Sequence, residues 1–157
     1  MSGAIIALGN SLMGDDGAGP AALAYLRGMP LPAGVALVDG RTAGLGLLHI
    51  LADVDLAVLV DAADFGGRPG EIRSFTPSEV RSLRSVPLSS HEGDVLQIIA
   101  LAAQLGQCPR QIAFCAVQPA RIAPVQALTP AVAAGLPALA EEVMRTLRTM
   151  LHDGEGS

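Results

Sequence analysis

The run DLAVLVDAAD, from Asp55 to Asp64, limits more than any other feature how this chain can fold. Leu56 to Val60 is wholly apolar, and the run ends in the acids Asp61 and Asp64. An unbroken apolar run of this kind suits a strand covered on both faces, and such strands belong to parallel sheets lying between helices. AIIAL (Ala4 to Leu8) has the same character. A helix is expected from about Ala18 to Gly28, with Pro20 in its first turn, where the missing N–H costs nothing. VALVD (Val35 to Asp39) reads as a second strand and Gly44 to Asp53 as a helix. Gly70 to Phe75 alternates and reads as a strand nearer the edge. PSEVRSLR is a short helix, and GDVLQIIALAAQLG a longer one ended by Gly106. RQIAFCAV (Arg110 to Val117) is the last strand. The final helix starts near TPAV and is kinked or broken at Pro137. The order is β-α-β-α-β-β-α-α-β-α. It predicts an α/β three-layer sandwich, with a mainly parallel, twisted five-stranded sheet and helices on both faces, of the phosphorylase/hydrolase-like kind. One domain should span residues 1–152, followed by a frayed tail at 153–157.

Composition excludes several chemistries. The chain has 157 residues, half of them hydrophobic, enough for one sizeable core. All ten basic residues are Arg. With no Lys, Schiff-base chemistry, a phosphate-loop lysine and an amine general base are absent from this chain. The net charge is −5 and the Arg residues are scattered, unlike a nucleic-acid surface. No apolar stretch is long enough to span a bilayer, and MSGAIIALGN lacks the charged start of a signal peptide. Two cysteines make no disulfide framework. These features together predict a cytoplasmic protein, and a monomer is the default expectation.

In open α/β sheets, ligands bind beyond the carboxyl ends of the strands. After the first strand lies GNSLMGDDGAGP, a glycine-rich loop with Asp15 and Asp16. Asp15 stands where a phosphate loop needs Lys, and GDDGAG does not fit G-x-G-x-x-G, so phosphate is the wrong ligand. After the second strand come Asp39, Gly40, Arg41 and Thr42. The third ends in Asp61 and Asp64. At the same rim SSHEGDVL opens a helix, with Ser89 and Glu92 spaced as a capping box and His91 in the first turn. The positive helix end favours a neutral imidazole there, and neutral imidazole binds metal. Asp16, Asp61 and His91 thus form an oxygen and nitrogen set suited to a borderline divalent metal, with positions left open.

Each residue has a plainer reading beside that one. Asp15 can cap the helix after the glycine loop, and Asp61 can pair with an Arg. His91 can be an ordinary helix-start residue, and Asp39 a turn residue rather than one that positions substrate. His49 reads as a packed or partly buried helix position, and His152 as a tail residue. There is no G-x-S-x-G elbow; Cys115 lies in an apolar strand and Cys108 in a loop. A phosphoacceptor receiver domain also carries paired acids and a strand-end Asp, here Asp61, but it places a Lys after strand five and this chain has none.

GNSLMGDDGAGP, DGRTAG, VLVDAADFGGRPGEIR and SSHEGDVL, in that order, resemble the maturation endopeptidases of [NiFe] hydrogenases. The resemblance runs from Ala4 to about Leu147. GNSLMGDDGAGP and PGEIR look most like the branch serving formate-hydrogenlyase hydrogenases. The resemblance implies an enzyme that removes a short C-terminal peptide from the large-subunit precursor after nickel insertion. The family's metal-contacting residues fall on Asp16, Asp61 and His91, which would serve as metal ligands and catalytic residues. Its flexible substrate loop falls on Asp39, Gly40, Arg41 and Thr42, where many members have Gly in place of Arg41.

The residues and the resemblance differ on the metal's origin. Read alone, the three groups can hold a zinc-like ion that activates water. The resemblance implies nickel carried by the substrate, which is preferred because two carboxylates and one His without thiolate make a modest permanent site. Hydrolysis then proceeds by water, assisted either by the metal or by Asp16 or Asp61 as base. The competing function is a non-proteolytic nickel-binding or scaffold module in hydrogenase assembly.

Overall fold

A computed structural model describes residues 2–41, 45–82 and 92–155. Its five strands are β1 (Gly3–Leu8), β2 (Val35–Arg41), β3 (Leu56–Ala62), β4 (Ile72–Phe75) and β5 (Gln111–Val117). They lie in the order β2-β1-β3-β5-β4. All neighbouring pairs are parallel except β4–β5, so β4 is an antiparallel edge strand, as its alternating sequence suggested. The helices are α1 (Ala18–Arg27), α2 (Leu45–Ala52), α3 (Pro77–Ser82), α4 (Glu92–Gln104) and α5 (Pro130–Glu155), with a 3-10 turn at Gly14–Gly17 ahead of α1.

The all-apolar runs of β1 and β3 are central and buried along their whole length. Side chains alternate across the sheet because a strand has a period of two. On one face Ile5, Val58, Val60 and Val117 pack under Ala22 and Leu26 of α1 and Leu139, Val143 and Leu147 of α5. On the other, Ile6, Leu8 and Leu59 pack under Leu47 and Leu51 of α2, Val80 of α3 and Val95 and Ile99 of α4. The expected three layers are therefore present. No helix among the described residues is long and apolar enough to cross a membrane.

Some local expectations need correction. α5 runs through Pro137 without a break and on to Glu155, so residues 153–155 are helical rather than frayed. Pro137 is exposed, and the helix continues because its apolar stripe (Val132, Leu136, Leu139, Val143, Leu147) stays buried against the sheet on both sides of the proline. His49 faces solvent, while Leu47 and Leu51 carry the buried side of α2.

β1 leads to β2 on one side of it, and β2 leads to β3 on the other. The sheet reverses its winding between β1 and β3. A crevice forms beyond the carboxyl ends of two strands at such a switch point, and ligands of open α/β sheets bind there.

Candidate active site

Gly9 ends β1 with φ 127°, a conformation that side-chain-bearing residues rarely adopt. A Cβ at Gly9 would lie 2.0 Å from the Asp16 carbonyl oxygen and 3.4 Å from Oδ1 of Asp61. Only glycine allows the loop to fold back this closely, and that fold brings the backbone of Asp16 and the carboxylate of Asp61 against one residue. Both acids are buried, at 3% and 7% exposure. The Asn10 N–H donates to Oδ2 of Asp16 (2.9 Å), and the Ala62 N–H donates to Oδ1 of Asp61 (2.8 Å). Backbone donors thus aim both carboxylates before any substrate arrives. Asp61 also lines a small enclosed cavity of about 20 Å³ with Val80, Val95 and Phe114, so its surroundings toward α3 and α4 are apolar.

Asp15, next to Asp16, does different work. It makes no cap bond to the 3-10 turn or to α1. Its side chain is fully buried and accepts from the N–H groups of Ala120, Arg121 and Thr129 at 2.8, 2.9 and 2.7 Å, and from the Thr129 hydroxyl. In return, Gly14 and Asp15 donate their N–H groups to the carbonyls of Val125 and Arg121. The glycine loop is thereby bound to the segment between β5 and α5. Burial pushes the Asp15 carboxyl up, but the N–H groups of Thr129, Arg121 and Ala120 and the Thr129 hydroxyl outweigh it and hold the acid below its ordinary 3.8. The helix-cap role considered for Asp15 is replaced by this clamp between loops.

Gln118 was not singled out in the sequence. It is buried, its Oε1 accepts from the N–H groups of Phe65 and Gly67, and its Nε2 donates to Oδ1 of Asp64. Gln118 and the Gly66 N–H together hold the Asp64 carboxyl below its usual range. Asp64 thus secures the loop after β3 rather than joining the pair at Gly9. A polar residue following the buried run FCAV was the available signal.

Asp39 is exposed, and its Oδ1 accepts from the Arg41 N–H (3.1 Å). The turn reading of Asp39 therefore has a direct geometric basis. His91, Thr42 and the Ser89 end of the capping box lie outside the described residues. Among the described residues no three His, Cys, Asp or Glu side chains gather closely enough to hold a metal.

Thiol chemistry has no support. Burial pushes the Cys115 thiol up to about 12, and burial also raises Cys108. Since the thiolate is the reactive form, a thiol-alkylating reagent applied to the native protein should leave its activity within about twofold of the untreated value. Rapid inactivation prevented by prior substrate binding would show that a cysteine takes part after all.

The fold and the rim define a class: an α/β protein whose winding reversal presents buried carboxylates and no activated thiol. The model of the hydrogenase maturation protease family (HycI) matches residues 23–146, and the chain belongs to that family. The hydrogenase expression/formation protein HupM of Azotobacter chroococcum is 34% identical over 148 residues, covering 87% of this chain and 71% of that protein. The solved structure of the hydrogenase maturating endopeptidase HybD from E. coli superposes with a TM-score of 0.86 at 28% identity, covering 96% of this chain and 94% of that one. The endopeptidase HycI from Escherichia coli superposes with a TM-score of 0.72 at 23% identity, covering 92% and 90% of the two chains. The structural likeness is greater to HybD than to HycI. The family match begins at residue 23, beyond the glycine loop, so the geometry at Gly9 is evidence independent of it.

Proposed function

We propose that this peptidase removes the C-terminal peptide from the nickel-loaded precursor of a [NiFe] hydrogenase large subunit. In this reading Asp16 and Asp61, with His91, engage the nickel that the precursor carries. The observation that carries it is the pair of backbone-held, buried carboxylates around Gly9 at the switch between β1 and β3. Carboxylate oxygen and imidazole nitrogen suit a borderline divalent ion, and thiolates supplied by the precursor would complete its shell. The ion belongs to the substrate, so the enzyme needs only moderate affinity for free nickel. Membership of a maturation protease family supports the peptidase step, and the absence of an activated thiol favours attack by water. Water adds to the scissile carbonyl, its proton passes to a carboxylate, and the amine of the released peptide leaves after taking up a proton. A cytoplasmic, monomeric enzyme is part of the same reading.

The test compares nickel-loaded and nickel-free precursor incubated with the protein, followed by the mass of the product. Cleavage of the loaded form alone is expected, with a rate difference of at least about 100-fold, the size of effect that metal polarisation or a well-placed ligand provides. Equal cleavage of the two forms would remove nickel recognition. No cleavage of either would remove the precursor as substrate.

A further inference from the structure

Among the described residues, Arg41 is the one non-glycine residue with φ in the left-handed region, at 54°. The chain reaches this conformation through a bulge. Ala7 of β1 pairs with Asp39 and Leu8 with Arg41, so Gly40 is the extra residue of β2. Gly40 is glycine for want of space, because a Cβ there would lie 2.7 Å from Cγ2 of Ile6. No such crowding accounts for Arg41. A left-handed backbone favours glycine, and an arginine there costs free energy that its side-chain contacts among the described residues do not return. Its side chain is exposed and makes no ion pair or side-chain hydrogen bond among the described residues.

The backbone, by contrast, is held on both sides. Oδ1 of Asp39 accepts the Arg41 N–H, and the Arg41 carbonyl accepts the N–H of Gly9 at 2.7 Å. Gly9 is the residue flanked by Asp16 and Asp61. The Arg41 side chain therefore springs from a backbone one hydrogen bond away from Gly9. Beside Gly9 stand the buried acids Asp16 and Asp61, and the chain carries a net charge of −5. These carboxylates repel an anionic substrate segment unless a cation receives it, and of the exposed arginines on the loops beyond the strand ends (Arg41, Arg68 and Arg121) Arg41 is the one whose backbone is bonded to Gly9.

We infer that Arg41 is a specificity-determining residue that binds a carboxylate of the precursor's C-terminal peptide while the bond is cut beside Asp16 and Asp61. A guanidinium suits this task because its planar fork takes both oxygens of a carboxylate. The carboxylate is either an acidic side chain of the released peptide or its C-terminal group. The inference rests on the preceding reading that the precursor is cut at this rim.

The experiment measures KM and kcat on nickel-loaded precursor for the wild type, Arg41→Gln, Arg41→Gly and Arg68→Gln. Arg68 is a second exposed cation, on the loop after β3, and reports on general electrostatics. Arg41→Gln should raise KM about tenfold with kcat within about twofold, the loss of one charge-assisted contact. Arg41→Gly should do the same while melting no lower than wild type, since the left-handed strain is gone. Two precursor variants locate the partner group. One has the acidic side chains of its C-terminal peptide changed to amides, and the other is lengthened by neutral residues to displace the terminal carboxylate. The variant lacking the true partner should bind wild type as weakly as it binds Arg41→Gln. Unchanged KM in Arg41→Gln, or an equal rise in Arg68→Gln, would overturn the inference. If instead Asp16→Asn cleaves at the wild-type rate, the reading of the rim itself falls, whatever Arg41 does.

Discussion

Asp16→Ala should reduce processing of nickel-loaded precursor by on the order of 1000-fold while leaving a folded protein. The magnitude follows from the 100- to 10,000-fold range typical of a positioned acid–base or ligand group. Asp16 sits at the end of a loop that turns back on itself at Gly9, and the Asn10 N–H fixes its carboxylate. Alanine removes the anion and leaves that N–H without its acceptor, a cost of about 1–3 kcal/mol. For a chain of this size that corresponds to a fall in melting temperature of roughly 2–12 °C. A loss of activity far larger than the loss of stability is therefore the signature. Processing is followed by the mass of the large subunit and folding by circular dichroism. Asp61→Ala should give the same pattern, because Asp61 faces the same glycine from β3. Normal processing by either variant would show that its carboxylate is not part of the reaction.

The residues that were legible in the sequence are those whose role depends on near neighbours. The runs AIIAL and LAVLVDA announced β1 and β3, because burial on both faces leaves no room for polar residues. The strand-end acids followed from them, and the Asp16 backbone and the Asp61 carboxylate both lie against Gly9 at the end of β1. What stayed hidden depends on long-range partners. Nothing near Asp15 announces that its donors are 105, 106 and 114 residues away, and a buried acid after a glycine loop looks the same whether it caps a helix or clamps a loop. Gln118 likewise gains its meaning from Phe65 and Gly67 across the sheet end. The left-handed backbone at Arg41 goes with the bulge at Gly40, where packing against Ile6 leaves no room for a Cβ. For His49, apolar neighbours on both sides suggested burial, but the helix places its core contacts at Leu47 and Leu51 and leaves His49 on the opposite surface.

Asp15→Ala should be the most destabilising of the carboxylate substitutions, and its effect on catalysis should follow from misplacing Asp16. The side chain of Asp15 satisfies three N–H groups and one hydroxyl. Leaving buried donors without an acceptor costs about 1–3 kcal/mol each, so a total loss of at least about 3 kcal/mol is expected even after partial relaxation. That is roughly 6–12 °C in melting temperature. Asp15→Asn should be no substitute, since its amide presents N–H groups to donors that need an acceptor. The pH dependence separates this clamp from simple packing. The folded Asp15 carboxyl is held below 3.8, so its contribution is complete above that value and disappears as pH falls through the folded-state value. The gap in melting temperature between wild type and Asp15→Ala should therefore be widest near neutral pH and narrow as the solution is acidified below about pH 4. Thr129→Val, which removes the hydroxyl but keeps the N–H contact to Asp15, should show a smaller loss of about 1 kcal/mol. Calorimetric melting of wild type and the three variants across this pH range measures the effect. A gap that stays constant with pH would mean that Asp15 acts through its shape and not through its charge.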